Sequence, residues 1–221
     1  MAKYIMKFSK EGYIKYTSHL DMMRLFRRSF KRAGIDLKYS SGFNPHPKLS
    51  FAQPLSLGYT SICELMDFET KEDHDPAVIK KRMQQMMPEG ITITECCKGD
   101  EDKKTLASRC TAAEYIIAVP VAPGVQISPS AAEDFLSQDK ITALKKQKKK
   151  KGGGLREVDI KGQIRELYVY KADDRIFLST TLDAGSNSNL SPELLLNAFM
   201  QWADIDFQRE NVEILRKKII L

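Results

Sequence analysis

Residues 19–33, HLDMMRLFRRSFKRA, decide how the rest of the chain is read. At 100° per residue, Met22, Met23, Phe26, Phe30 and Ala33 share one face, while Arg24, Arg27, Arg28, Lys31 and Arg32 gather on the opposite one. The spacing predicts an amphipathic helix with its apolar side in a core. Ser18 stands at the N-cap position with Asp21 three residues on, as in a capping box, and Gly34 stops the helix. The cationic face carries no acid after Asp21. Solvated helix faces ordinarily mix signs to gain i,i+4 pairs, so this face points to a polyanion, with an ordinary solvated face as the competing reading.

Working outward, residues 3–9 alternate as a strand, and residues 13–17 read as its hairpin partner across Glu11-Gly12. After the helix, residues 37–40 and 61–69 read as strands, Asp75-Pro76 opens a helix to about Met87, and residues 91–96 close the set as a strand. Strand, helix, strand, strand, helix, strand is the ferredoxin-like (βαββαβ) order. Residues 99–112 are polar and read as a linker. The order then repeats: strand 114–120, helix 128–137, strands 141–146, 167–170 and 176–181, a helix from Ser191-Pro192 to Trp202, and strand 212–219. The expected fold class is α+β, with tandem ferredoxin-like units at 1–103 and 113–221. The second of these carries a basic loop at 145–156.

With 221 residues, 42% hydrophobic and 29% charged, the composition is that of a globular protein. No apolar run approaches the roughly 18–20 residues of a membrane span, and the N-terminal MAKYIMKFSK lacks an apolar signal core. A cytoplasmic protein with no membrane contact is expected. Cys63, Cys96, Cys97 and Cys110 form no CxxC pair and no zinc or cluster spacing, so reduced thiols are expected and neither a metal nor a cofactor is assigned.

The net charge of +6 is unevenly placed. Residues 1–48 hold eleven Lys or Arg against three acids, and residues 145–156, KKQKKKKGGGLR, hold seven bases and no acid. Cations clustered within about one Debye length of each other suit a polyanion better than the same charge spread evenly. Lys145, Lys146, Lys148 and Lys149 are therefore candidate polyanion contacts, expected to add non-specific attraction to a main phosphate surface at Arg24, Arg28 and Lys31. A solvated hairpin tip is the alternative for the lysine run.

Residues 40–58, SSGFNPHPKLSFAQPLSLG, combine three prolines and two glycines with His46, Lys48, Phe43 and Phe51. Prolines and the residues before them restrict the backbone, so this is a shaped loop, either a pre-formed binding surface or a well-made turn into an edge strand. His19, at the helix start, is open to three readings: a packed core histidine, an anion ligand among free N–H groups, or one of a pair with His46. His19 and His46 are the catalytic candidates if the chain has any. Glu64, Asp67 and Glu69 on one strand are a possible metal-ligand set, against the commoner solvated strand face.

SHLD, the helix MMRLFRRSFKRAGI and the stretch SGFNPHPKLSFAQPLSLGYTS with Glu64 together resemble the radical-SAM-associated DUF2344 family of bacterial proteins. The likeness covers residues 3 to about 70. In the second half it is carried by the general layout and by REVDIKGQIREL at 156–167. The resemblance implies an RNA setting and a partner, a radical SAM enzyme with a cobalamin-binding region. This chain has no CxxxCxxC for the cluster of such an enzyme. Phosphate-loop, GxSxG and HExxH signatures are absent as well.

The expected function is therefore recognition of a structured RNA, tRNA or rRNA, for modification by that partner. The helix would hold phosphates, and Phe43, Asn44, His46 and Lys48 would read a base or an end. A metal-independent endoribonuclease resembling CRISPR repeat-processing enzymes and a protein-docking module without RNA contact are the alternatives.

Overall fold

The computed structural model describes residues 2–100, 104–146 and 154–221, with Lys146 described by its backbone alone. The fold is α+β. Two compact units divide the chain, Met1–Cys110 with Arg216–Leu221, and Thr111–Leu215. The last six residues thus belong to the first unit.

The first unit runs β1 (Ala2–Lys10), α1 (His19–Arg32), β2 (Leu49–Phe51), β3 (Thr60–Thr70), α2 (Pro76–Met86), β4 (Ile91–Lys98) and the single turn α3 (Leu106–Arg109). The second runs β5 (Ala112–Pro120), α4 (Ala131–Ser137), β6 (Thr142–Lys146), β7 (Leu155–Asp159), β8 (Ile164–Ala172), β9 (Arg175–Asp183) and α5 (Pro192–Trp202). The final strand, β10 (Glu213–Ile220), carries the chain back into the first unit from Arg216.

In the first unit β1 pairs antiparallel with β3 on one side and with β4 on the other, and β2 pairs antiparallel with β3, Leu49 opposite Phe68. Period-two alternation on β1 buries Tyr4, Met6 and Phe8. Against them pack Met22, Phe26 and Phe30 of α1 and Ile79 and Met83 of α2. Ring contacts knit the layer: Phe26 lies 4.8 Å from Phe8 and 5.6 Å from Phe51, and Phe30 lies 4.7 Å from Phe68. Met23, expected in the core, is only half-buried at its edge. The buried positions of α1 are Met22, Phe26, Ser29 and Phe30, so the seam centres on Phe26 and leaves Met23 on its flank.

Two local expectations are corrected. Residues 13–17 are not a strand; Gly12–Tyr16 form a 3-10 turn. Gly12 sits at φ +61, and the Lys10 ammonium, tucked beneath, donates to the carbonyls of Lys15 (3.2 Å) and Thr17 (2.8 Å). Those bonds gather the carbonyls on one point, which an extended strand cannot do. Residues 37–40 make only isolated bridges, Leu37 to Thr70 and Tyr39 to Pro47, because the segment changes partner within three residues. The strand on that side is β2.

In the second unit β9 pairs antiparallel with both β5 and β8. The β6–β7 hairpin forms a two-stranded sheet of its own. Its second strand lies in the REVDI segment, where periodicity gave no strand. Ser191 caps α5 by accepting from the Glu193 amide, and Pro192 follows at the first turn, as its sequence predicts. Among the described residues no helix is long and apolar enough to cross a membrane.

Candidate nucleic-acid interface

Helix α1 begins where Ser18 Oγ accepts from the Asp21 amide (3.2 Å) and donates to Asp21 Oδ2 (2.7 Å). The bond from Ser18, and then that from Arg24, hold the Asp21 carboxyl below its ordinary range. Arg24 Nη1 lies 2.8 Å from Asp21 Oδ1, so the first cation of the face is already paired. Arg27, Arg28, Lys31 and Arg32 are exposed and form no ion pair among the described residues.

Arg24, Arg27, Arg28 and Lys31 line one open groove of about 470 Å³. The buried Phe30, Ile35 and Leu37 give it an apolar floor, and Asp36, Tyr39 and Lys71 complete the lining. Arg32 is not among the lining residues. Lys71 Nζ lies 3.4 Å from Asp36 Oδ2, a weak exposed pair. The groove therefore offers three cations that have no ion pair among the described residues, on a packed helix beside a half-exposed tyrosine.

Tyr39 also leads into the loop. It bridges to Pro47, the Ser40 amide donates to the His46 carbonyl (2.8 Å), and the His46 amide donates to Ser40 Oγ (3.0 Å). These bonds close residues 40–46 into a tight excursion from which Phe43, Asn44 and His46 project, all exposed. Lys48 is half-buried and committed to Glu69 (2.9 Å), which Lys38 also meets at 3.3 Å. Burial works to raise the Glu69 carboxyl, and the hydrogen bonds from Lys48 and Lys38 outweigh it, holding the group below its ordinary value.

His19 is half-buried and lies edge-on to Phe51 at 5.5 Å, in a tight pocket with Lys10, Gln53, Leu55 and Glu64. His46 is not among the residues lining it. The structure brings His19 to a buried charge cluster instead. Arg216, fully buried, donates through Nε to Glu64 Oε1 (2.8 Å) and through Nη2 to the Gln53 carbonyl (2.9 Å). Lys10 stands beside this pair; burial pushes its ammonium down, Glu64 pulls it up and Arg216 pushes it down again.

Glu64 and Asp67 are thus no solvated strand face. Asp67 is buried and accepts from Ser50 Oγ and, at 3.1 Å, from the Leu106 amide. No cluster of three or more His, Cys, Asp or Glu side chains among the described residues could hold a metal. None of the four cysteines forms a disulfide among the described residues. Burial, ahead of Cys97 and Glu95, pushes the Cys96 thiol up to about 12.

In the second unit Lys145 lies on β6 directly opposite Arg156 on β7, both exposed. Like charges facing across a ladder repel, so this hairpin suits an anionic neighbour. Lys146 is described by its backbone only, and Lys148 and Lys149 lie outside the described residues. Sequence reading missed Tyr39, Asp36 and Lys71 in the groove, as well as Lys10 and Arg216. No signal in the sequence marked the first three, and Arg216 sits within a basic run, RKK, that marks no single member as buried.

The chain belongs to the bacterial family described as "Uncharacterized protein conserved in bacteria (DUF2344)", which it matches over residues 3–192. No curated protein matches it. Among solved structures, a chain in the crystal structure of a Cbf5-Nop10-Gar1 complex is similar in fold, with a TM-score of 0.52 and 8% identity. The match covers 98% of this chain and 48% of that one, so this chain spans about half its length. An unknown protein from Galdieria sulphuraria aligns at a TM-score of 0.28 and 9% identity, over 100% of this chain and 99% of that one.

Proposed function

We propose that the chain is an RNA-binding protein that presents a structured RNA to a separate radical SAM enzyme with a cobalamin-binding region. The observation that carries the RNA reading is the groove of α1, where Arg27, Arg28 and Lys31 face solvent without ion pairs among the described residues, on a helix already anchored by Phe26 and Phe30. A cation held in place by a packed helix contacts phosphate with little further ordering cost, whereas a loose lysine run must first be immobilised. The loop bearing Phe43, Asn44 and His46 adjoins the groove through Tyr39 and supplies exposed groups suited to reading bases. The radical SAM partner rests on the family resemblance, and its being a separate protein on the lack of a CxxxCxxC spacing in this chain.

In this reading each unit is ferredoxin-like. The first unit supports it with the antiparallel order β4-β1-β3-β2, the second with β5, α4, β8, β9 and α5 in the same succession and the β6–β7 hairpin as an insertion.

The test is binding of the purified protein to RNA recovered with it from cells, with the same RNA followed for cleavage with and without a chelator. Saturable binding without cleavage is expected. Chelator-insensitive cleavage that disappears in His19→Ala or His46→Ala would make the chain a nuclease, and no RNA binding would leave a protein-docking module.

A further inference from the structure

We infer that the α1 groove takes an unpaired ribonucleotide, with its phosphates on Arg27, Arg28 and Lys31, its base on Tyr39 and its ribose hydroxyls toward Asp36. The inference rests on the RNA reading above and names what part of an RNA the groove accepts.

Size comes first. About 470 Å³ lies within the range of sites for single small ligands, and suits one nucleotide. A duplex keeps its bases stacked and paired, and proteins meet it through shape, phosphates and 2′-hydroxyls across a broad surface. A concave site of one-nucleotide size gains nothing from that shape.

Chemistry agrees with size. Phosphate contact alone requires cations, yet the groove also has an apolar floor of Phe30, Ile35 and Leu37 and a tyrosine that is 48% exposed. The backbone of Tyr39 is held by the bridge to Pro47, so only the two side-chain torsions of the ring remain to be ordered when a base stacks on it. An aromatic face beside cations is the pairing that single strands use, with each base stacked and its phosphate neutralised alongside. Tyr39 makes no ring contact with another aromatic among the described residues, so stacking displaces nothing.

Asp36, which also lines the groove, would repel a phosphate, so the part of a nucleotide assigned to it is the uncharged ribose. A carboxylate is an acceptor without a donor, and hydroxyls are the donors a nucleotide's sugar offers. The 2′-hydroxyl is the group by which a site tells RNA from DNA.

The experiment titrates the full chain against a fluorescent single-stranded RNA oligonucleotide, the same strand annealed to its complement, and the DNA strand of the same sequence. Tighter binding of single-stranded RNA than of either competitor is expected. Tyr39→Ala should weaken single-strand binding by roughly 5- to 150-fold, Tyr39→Phe should stay near wild type, and Asp36→Ala should narrow the preference for RNA over DNA. Duplex bound as tightly as single strand, or a silent Tyr39→Ala, overturns the inference. If Arg27→Ala, Arg28→Ala and Lys31→Ala together still abolish binding in that case, the RNA reading survives it. Absence of binding to every oligonucleotide overturns the inference, and only absence of binding to the co-purified RNA as well removes the RNA reading.

Discussion

Arg216 and Glu64, 152 residues apart in sequence, form a buried two-point ion pair that fastens the last strand of the chain to β3 and, through the carbonyl of Gln53, to the loop that follows β2. Both side chains are almost wholly buried, at 1% and 4% exposure. Lys10 adds a second cation beside them. Removing either partner leaves a charge in a medium that solvates it poorly. Arg216→Met or Glu64→Leu alone should cost about 3–5 kcal/mol, and the double replacement less than the sum of the two. Urea unfolding of the four proteins checks this; additive losses would mean the pair is not coupled.

Gly90 gives a second prediction, since its carbonyl accepts from the Glu11 amide at 2.8 Å and its backbone stands at φ +87. An added Cβ would meet the Glu11 carbonyl oxygen at 2.4 Å and Ile14 Cγ2 at 2.9 Å. Gly90→Ala should therefore lose on the order of 2–4 kcal/mol through backbone strain and overlap together. The urea midpoint should fall with an unchanged m-value; a midpoint at the wild-type position would contradict the close approach.

The acid limb of stability carries a third. Against the opposing effect of burial, Lys48 and Lys38 hold the folded pKa of Glu69 below its ordinary 4.5. A depressed carboxylate binds fewer protons folded than unfolded, so its contribution is complete above about pH 4.5 and fades as pH falls through the folded value. Glu69→Gln should flatten stability against pH below about 4.5 and leave the slope above pH 6 unchanged. Thermal unfolding from pH 6 to pH 3 reads it, and parallel curves would assign the acid loss to other groups.

The helices were the legible part of this sequence. HLDMMRLFRRSFKRA encodes its own cap, seam and polar face within a few turns, so α1 and the burial of Phe26 and Phe30 follow from spacing. Residues 13–17 read as a strand because their alternation is local, whereas the 3-10 turn is fixed by the Lys10 side chain reaching up from β1. Glu64 looked solvent-facing because its counter-charge is Arg216, supplied from the far end of the chain. The cations of the candidate groove were visible as a stripe, but Tyr39, Asp36 and Lys71 join it only through the turn that follows α1 and the end of β3. Spacing reports faces of single elements; it does not report which separate segments meet.

Whether the α1 groove neutralises RNA phosphates is tested most directly by the salt dependence of RNA affinity, measured for wild type and for the variant with Arg27→Ala, Arg28→Ala and Lys31→Ala. Every phosphate that the protein ceases to neutralise lowers the slope of log affinity against log salt by about 0.7–0.9. Phosphate binding in the groove predicts weaker affinity for the variant and a slope reduced by roughly 2 to 3, similar for one co-purified RNA and one unrelated RNA. Affinity and slope unchanged from wild type would contradict it, and would make this basic face a surface for a protein instead.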